Sequence, residues 1–386
     1  MPTVYFDHAA TTPIDPRVLE AMMPFLKDDY GNPSSIHHMG RKTNVFVETW
    51  RGKIAKSIGA EPSEIIFTSG GTEGNNAAIF GALENRKGKQ IVTARTEHNA
   101  VLHPVEAAEK FGYDVTYAEL DDTGAVTPEA LEAVLSDETA LVSLMHANNE
   151  TGTIHPIPEL SAVCRRHGVP LHSDTVQSVG KIPVNVDELG VDYLTMSAHK
   201  FNGPNGVGAL YVRSGNSWST WMHGGSQERG RRGGTLNVAG IVGMGRALEL
   251  SLEEMADNTA YIKKLKKRFV GNLVSAFGDT IRFNGDITSG MHHIVSVTVT
   301  DSHHEPLDGE MLLLNLDIEG ICCSNGSACT SGTVKPSHVM LGLGYDEAMA
   351  KSTLRFSIGK TNTEEEVDLA VASLHKIVSR HSVASL

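Results

Sequence analysis

The sequence has few cysteines, few aromatic residues and no long apolar run among its 386 residues. Four cysteines are too few for a disulfide framework in so long a chain, which excludes the disulfide-stapled class and suits a reducing compartment. No apolar run approaches the roughly 18 residues that cross a bilayer, and the N-terminus lacks the basic and apolar regions of a secretory signal. We therefore expect a cytoplasmic protein whose thiols are free to do chemistry.

Basic residues are also scarce relative to acidic ones. The 33 lysines and arginines against 46 aspartates and glutamates give a formal net charge of −13. Such a surface disfavours phosphate backbones and anionic lipid, so we expect neither nucleic acid nor a membrane as a partner. The hydrophobic fraction of 40% is that of an ordinary globular chain, long enough for about two or three domains.

Short apolar runs, clusters of small polar residues and helical patterns alternate through most of the chain. The strand-like runs include residues 90–94, 140–145 and 192–196. This alternation predicts an α/β fold, with βαβ units around a mostly parallel sheet flanked by helices. The alternation becomes less strict from about residue 259, which predicts a smaller α+β domain. We expect residues 15–258 to form the large domain, and residues 1–14 and 259–386 to form the small one.

A glycine-rich segment, Ser69-Gly-Gly-Thr-Glu-Gly74, follows a strand-like run and opens a helical pattern. Its glycines allow the backbone to approach a ligand, and free N–H groups at a helix N-terminus favour an anion such as phosphate. The segment matches neither the Walker pattern nor the dinucleotide fingerprint. Phosphate binding and a plain strand-to-helix turn therefore both stay open at this point.

Two chemically active side chains follow neighbouring strand-like runs. Asp174 ends one run, and Lys200 follows the next within Ser197-Ala-His-Lys200. Because ligands bind at the carboxyl ends of strands in an open α/β sheet, we expect the two side chains to lie close together. An aldehyde cofactor needs a lysine to attach to and an acid beside its pyridine nitrogen. A buried ion pair is the alternative.

Histidine is frequent, and it occurs partly as adjacent pairs. The pairs are His37-His38, His292-His293 and His303-His304. Adjacent side chains point apart on a strand and do not share a helix face, so we predict no metal site. His98 ends another strand-like run, where it could stack on a cofactor ring and act as an acid or base, or could be structural.

The four cysteines differ in their surroundings. Cys329 lies among small residues in Ser324-Asn-Gly-Ser-Ala-Cys-Thr-Ser-Gly332, which predicts an exposed, mobile thiol able to act as a nucleophile. An incidental loop cysteine is the alternative. Cys164 lies in a helical pattern and is predicted to pack in a core. Cys322 and Cys323 end a strand-like run, and we expect at least one of them to be buried.

Arginine is concentrated in one glycine-rich segment, His223-Gly-Gly-Ser-Gln-Glu-Arg-Gly-Arg-Arg-Gly-Gly-Thr235. In an acidic chain this segment suits an anion-binding loop over an active site, or a subunit interface. Arg355 lies on a later strand-like run, where its guanidinium could bind a carboxylate through two hydrogen bonds. A structural salt bridge is equally compatible with that position.

Taken together, these residues resemble the cysteine desulfurases of the nitrogen-fixation and iron–sulfur-assembly type, which have the class V aminotransferase fold. The resemblance spans nearly the whole chain. Its motifs are Tyr5-Phe-Asp-His-Ala-Ala-Thr-Thr-Pro13, Gly31-Asn-Pro-Ser-Ser35, Phe67-Thr-Ser-Gly-Gly-Thr-Glu73, Thr96-Glu-His98, Asn148-Asn-Glu-Thr-Gly152, Asp174-Thr-Val-Gln177, Ser197-Ala-His-Lys200, Arg229-Gly-Arg-Arg-Gly-Gly-Thr235, Gly326-Ser-Ala-Cys-Thr-Ser331 and Arg355-Phe-Ser-Ile-Gly359.

The resemblance implies that the large domain binds pyridoxal 5′-phosphate. Lys200 would hold the cofactor and move the Cα proton, Asp174 would pair with the ring nitrogen, Gln177 would bond the ring hydroxyl, and His98 would stack on the ring. The residues implied to hold the phosphate are Gly71, Thr72, Ser197 and His199, with Thr235 supplied by the second subunit of a homodimer. Asn149 and Arg355 would bind the carboxylate of L-cysteine, and Asn149 would also lie beside the cofactor.

The resemblance also assigns Cys329 as the sulfur carrier. Its thiol would take the sulfur of L-cysteine as a persulfide, release L-alanine, and pass the sulfur to an acceptor such as an iron–sulfur scaffold. Cys329 would then touch a nascent cluster only transiently, with no intrinsic metal. The chain departs from the family pattern at His8, Ala9 and Cys322-Cys323, and its tail of about 55 residues after Cys329 leaves the acceptor open. The alternatives are a class V aminotransferase, a selenocysteine lyase, or a non-catalytic scaffold.

Overall fold

Strands and helices alternate in the computed structural model, which describes residues 3–84, 86–326 and 335–384. The strands are β1 (Val4–Tyr5), β2 (Ile65–Thr68), β3 (Gln90–Thr93), β4 (Asp114–Tyr117), β5 (Thr139–Ser143), β6 (Leu171–Asp174), β7 (Tyr193–Ser197), β8 (Gly208–Val212), β9 (Ile281–Phe283), β10 (Ile294–Val299), β11 (Ile321–Cys322) and β12 (Thr353–Ser357). The helices are α1 (Pro16–Lys27), α2 (His38–Ser57), α3 (Gly71–Leu83), α4 (Asn99–Glu109), α5 (Pro128–Val134), α6 (Ile157–Arg166), α7 (Val186–Leu189), α8 (Val238–Glu253), α9 (Met255–Phe277), α10 (Gly309–Ile318), α11 (His338–Gly342), α12 (Glu347–Lys351) and α13 (Glu364–Ala384).

The largest sheet within these ranges has seven strands in the order β2-β8-β7-β6-β5-β3-β4. The pairs from β7 through β6, β5 and β3 to β4 are parallel, whereas β8 runs antiparallel to both of its neighbours. Every residue of β5, β6 and β7 is buried, as expected for a sheet covered by helices on both faces. The predicted α/β fold with a mostly parallel sheet is confirmed.

The helices that cover this sheet are themselves largely buried. Small and apolar residues line much of α3 and α8, so both helices pack closely against the strands and against other helices. Throughout the part of the chain that the structure describes, no helix combines the length and the apolar character needed to cross a membrane.

A second hydrophobic core forms around the antiparallel sheet β12-β10-β9. Phe6, Phe269 and Phe356 meet in its centre, with ring centroids 5.8 Å apart for Phe6 and Phe269 and 5.0 Å apart for Phe269 and Phe356. The first residues of the chain therefore share a core with its last third. The division into domains at residues 15 and 259 stays a prediction, and this shared core is consistent with it.

The segment after β1 runs between the two cores. On one side, the backbone N–H of Ala9 donates to the Ser357 hydroxyl at 2.8 Å. On the other side, the N–H and the hydroxyl of Thr12 both donate to the carbonyl of His199, at 3.0 and 2.7 Å. Residues 7–12 are therefore held against the end of β7, where they form one wall of the candidate site.

Candidate active site

A cavity of about 600 Å³ lies where β6 and β7 end. The residues predicted from sequence that line it are Gly71, Thr72, His98, Asn149, Asp174, Gln177, Ser197, His199, Lys200 and Arg355. Thr235 is exposed on this chain and is not among the described lining residues. Cys329 lies outside the described residues. The sheet therefore gathers side chains from distant parts of the sequence at one edge, as the strand-end rule requires.

One end of the cavity is formed by the start of α3. Gly71 and Thr72 lie in the first turn of this helix, and Gly70 caps it without a side-chain hydrogen bond. A Cβ atom on Gly71 would lie only 2.8 Å from a methyl carbon of Val176, so the close approach requires glycine. Backbone N–H groups and the positive end of the helix dipole make this end suitable for an anion.

Asp174 is buried at the end of β6 and is held by two donors. Its carboxylate oxygens accept from the Asn75 side-chain amide at 2.6 Å and from the Val176 backbone N–H at 2.9 Å. Asn75 is only 1% exposed and lines the same cavity. Sequence analysis did not identify it, although a polar residue within the largely buried α3 was an available signal.

Lys200 is held by backbone carbonyls from the N-terminal segment. Its Nζ donates to the carbonyl oxygens of Ala9 and Ala10, both at 2.7 Å. Burial and the positive charge of Arg355 lower the pKa of Lys200 to about 8, against opposing effects from Asp174 and Asp7. A larger fraction of the amine is therefore neutral near pH 7 than in a free lysine, as a nucleophilic amine requires.

His98 caps the start of α4 through its ring. The backbone N–H of Ala100 donates to Nδ1 at 3.0 Å, which assigns the proton of the neutral ring to Nε2. Desolvation by the surrounding protein lowers the pKa of His98, with the Asp174 charge opposing this effect. The ring is therefore neutral near pH 7, with Nε2 as its proton-bearing atom.

Arg355 is buried and partly paired. Its guanidinium donates to the Asp7 carboxylate at 2.8 Å and to the backbone carbonyl of Asn149 at 2.9 Å. Its Nε and the side-chain oxygen of Asn149 are both buried and have no hydrogen-bond partner among the described residues. The structure thus contains the ion pair that sequence analysis held open, and it leaves a buried donor beside the cavity.

Two buried carboxyl groups, Glu150 in the cavity lining and Glu97 outside it, were not singled out from sequence. Glu97 accepts from the Met145 N–H at 2.6 Å, and Glu150 accepts from the Ser337 hydroxyl at 2.5 Å. Burial raises the pKa of both groups. Burial therefore disfavours the charged form of both carboxyl groups, and most strongly that of Glu97.

The three described cysteines have raised pKa values. Burial raises the pKa of Cys164 to about 12 and also raises that of Cys322 and of Cys323. Cys164 packs in the main core, as predicted. Cys322 and Cys323 are each half-buried. Cys323 packs against the second core and lines the cavity, which is consistent with the expected buried role for one of the two. None of these thiols is predisposed to ionise near pH 7.

The arginine-rich segment is engaged within the chain. Arg232 donates to the Glu73 carboxylate in the first turn of α3 at 2.7 Å, and Arg231 donates to the Ser63 carbonyl at 2.7 Å. The segment therefore braces the helix whose start lines the cavity, instead of lining the cavity with its arginines. The alternative of a subunit interface stays a prediction.

Comparisons with known proteins give one consistent result. Residues 4–370 match the family model of the class-V aminotransferases. The chain is 46% identical over 379 residues to cysteine desulfurase IscS of Dictyoglomus turgidum, covering 98% of this chain and 95% of that protein. It is 44% identical over 381 residues to a cysteine desulfurase of Nostoc sp., covering 98% and 94%. A solved structure described as a NifS-like protein has a TM-score of 0.90 at 38% identity, covering 98% of this chain and 100% of the other.

The lowered pKa of Lys200 predicts how its amine reacts with aldehydes. In the apoprotein, the rate of attachment of pyridoxal 5′-phosphate to Lys200 should rise with pH and level off above about pH 8, because only the neutral amine attacks. Borohydride trapping and mass spectrometry of the Lys200 peptide would give the midpoint. A short peptide with a single free lysine serves as the control, with a midpoint near the ordinary value of about 10.4. A midpoint at Lys200 equal to that of the peptide would contradict the account.

Proposed function

This chain belongs to the class V aminotransferase family, and we propose that it acts as a pyridoxal-phosphate-dependent L-cysteine desulfurase. The observation that carries the proposal is that Lys200, Asp174 and the start of α3 line one cavity. Cysteine desulfurases related to it over nearly its full length support the same reaction. The overall reaction transfers the sulfur of L-cysteine to an enzyme thiol, giving L-alanine and an enzyme persulfide.

The residues present fit the cofactor. The phosphate would lie at the start of α3 with Gly71 and Thr72, together with Ser197 and His199 from the end of β7. The start of α3, which has no side-chain cap, offers backbone N–H groups and the positive end of the helix dipole to that group. Asp174, oriented by Asn75, would hold the proton of the ring nitrogen, and Gln177 would contact the ring hydroxyl.

When bound, pyridoxal phosphate supplies the electron sink for the Cα–H and C–S bonds that break. Lys200 Nζ, with its lowered pKa, is suited to accept the Cα proton and later return a proton to the product. His98, with its proton on Nε2, would lie against the ring and assist proton transfer at that atom. These two side chains provide the acid–base steps.

Arg355 and Asn149 would bind the substrate carboxylate. The buried Nε of Arg355 is a donor without a partner among the described residues, and the Asn149 side chain lies beside it in the cavity. A carboxylate accepting from this guanidinium would compete with Asp7 for the positive charge. Substrate binding would therefore satisfy a donor that the free site leaves buried.

Cys329 would receive the sulfur. Its thiolate would attack the sulfur of the bound cysteine, the new S–S bond would form as the substrate C–S bond breaks, and the released electron pair would end as a C–H bond of alanine after protonation. The raised pKa values of the three described thiols support the assignment to Cys329.

We further propose that the protein is a cytoplasmic homodimer that passes its sulfur to an acceptor for iron–sulfur cluster assembly. The names of the relatives support the assembly role. Thr235 is exposed on its own chain, as required of a residue that completes the partner's phosphate site. The net charge of −13 disfavours nucleic acid as the acceptor.

The Cys329→Ala variant tests the reaction directly. Alanine and sulfide formation from L-cysteine in the presence of a reductant should fall at least a hundredfold, while the visible absorbance of the bound cofactor persists, because cofactor binding does not involve that thiol. Cys323→Ala is the matched control, since Cys323 lines the same cavity but has a raised pKa, and it should stay active. Undiminished desulfuration in Cys329→Ala would overturn the proposal and favour the selenocysteine lyase alternative, which needs no mobile thiol, whereas amino-group transfer without sulfur release from the wild-type protein would favour the aminotransferase.

Mixed dimers test the contribution of Thr235 across the interface. The Lys200→Ala chain should be inactive alone, and Thr235→Val alone should bind pyridoxal phosphate about tenfold more weakly, through the loss of a hydrogen bond to a charged group. When the two variants are coexpressed, each mixed dimer should contain one intact site at limiting cofactor. That site combines Lys200 of the Thr235→Val chain with Thr235 of the Lys200→Ala chain. If mixing restores nothing, or if the protein elutes as a monomer, Thr235 does not act in trans.

A further inference from the structure

A chain of hydrogen bonds joins Lys200 to a second half-buried lysine, Lys181, which sequence analysis did not mention. Lys200 Nζ donates to the Ala9 carbonyl at 2.7 Å, and Gln177 Nε2 donates to the same carbonyl at 2.8 Å. The opposite end of the Gln177 amide, Oε1, accepts from Lys181 Nζ at 3.2 Å. Lys181 lies in the turn that follows β6, four residues after Gln177.

We propose that Lys181 is a positioning residue, which fixes the side-chain amide of Gln177 so that its NH₂ group serves the cofactor. The inference rests on the proposed use of pyridoxal phosphate and adds a role to a residue outside the cavity lining. Lys181 itself does not touch the cofactor space in this account. It acts through Gln177.

The argument depends on which groups can donate. A charged lysine ammonium carries donors and no acceptor, whereas a glutamine amide has a donor end and an acceptor end. With Lys181 at one end and the Ala9 carbonyl at the other, a flipped Gln177 would place donor against donor and acceptor against acceptor. Both contacts therefore select the same orientation. In that orientation, one N–H of the Gln177 NH₂ group bonds Ala9, and the second is available to an acceptor in the cavity.

The position of Lys181 is electrostatically unusual. Burial, together with the positive charge of Lys200, lowers the pKa of Lys181 to about 7. A cavity of about 60 Å³ behind Lys200 is lined by Lys181, Lys200, His8, His292 and His293. Both ring nitrogens of His293 and Nε2 of His8 are buried without hydrogen-bond partners among the described residues.

The groups that surround Lys181 are mostly basic. Burial lowers the pKa of each nearby histidine, and the charge of Lys181 contributes to that effect. The titratable groups are Lys200 and His199 after β7, His8 in the N-terminal segment, His292 and His293 before β10, and Lys360, which is paired with Asp15 and Glu254. No group of three His, Cys, Asp or Glu side chains that could hold a metal occurs in the described ranges. The histidine pair at 292–293 therefore belongs to a buried basic cluster behind the lysine.

Loss of Lys181 should change the protonation of the bound cofactor in a defined direction. An N–H donated to the hydroxyl oxygen of the cofactor ring would stabilise that oxygen in its anionic form. A nearby ammonium group would also disfavour protonation of the bound cofactor. Removing Lys181 weakens the first effect, because Gln177 can flip, and it abolishes the second. Both changes favour the protonated form of the bound cofactor, so the pH midpoint of its visible absorbance should rise.

The test compares Lys181→Met with wild-type protein, each loaded with pyridoxal phosphate and without cysteine. The cofactor dissociation constant should rise about three- to tenfold, the range for loss of one hydrogen bond. The pH midpoint of the visible absorbance should rise by about half a unit. Both readouts are independent of desulfuration, so a protein that binds the cofactor but fails to release sulfur would overturn the proposed function and leave this test intact.

Lys266→Met is the matched control. Lys266 lies on α9 and is buried, with a pKa lowered to about 8. It donates to the Met291 carbonyl at 3.0 Å and has no described bond to Gln177. The control should leave the dissociation constant and the midpoint unchanged. If Lys181→Met folds poorly, Lys181→Gln, which keeps a donor, should bind the cofactor more nearly as wild type does while its midpoint is still raised. A Lys181 variant that matches the Lys266 control in both measurements would overturn the inference.

Discussion

The carbonyl oxygen of Ala9 accepts from both Lys200 and Gln177, and much of the site depends on that single acceptor. It lies in the segment after β1, which also donates from Ala9 N–H to Ser357 of the second core. Residues 7–10 therefore connect three parts of the fold, which are the end of β7, the turn after β6 and strand β12. A shift of this segment would move the lysine, the amide and Arg355 together, since Asp7 pairs with Arg355.

The electrostatics of the site follow from burial in the same region. Lys200 has a lowered pKa because it is desolvated beside Arg355, while Glu97 and Glu150 have raised pKa values because they are desolvated without a cation in direct contact. The site therefore combines an amine of lowered pKa, a neutral imidazole and the buried carboxyl group of Asp174. This combination suits a reaction in which protons move between fixed atoms while a bound ring accepts electrons.

The fold could be predicted from sequence because its strands are short apolar runs at parallel-sheet spacing. Asp174 and Lys200 were expected at one sheet edge for the same reason, and β6 and β7 are indeed paired in parallel. Glu97 and the Ala9 carbonyl could not be found in that way. Their roles depend on long-range packing, and a backbone carbonyl has no signature in the side-chain sequence. Lys181 was missed because its partner is Gln177, whose orientation is a property of the folded chain.

The catalytic thiol, in contrast, could be proposed from the sequence. Sequence composition separated Cys329 from the remaining cysteines, and the raised pKa values of Cys164, Cys322 and Cys323 agree with that separation.

The most direct measurement of the central claim is the location of sulfur after one turnover with isotopically labelled L-cysteine, found by fragmentation mass spectrometry. The account predicts one labelled sulfur on Cys329 for each alanine released. Labelled sulfur on Cys322 or Cys323 instead, or alanine released with no protein-bound sulfur, would contradict it.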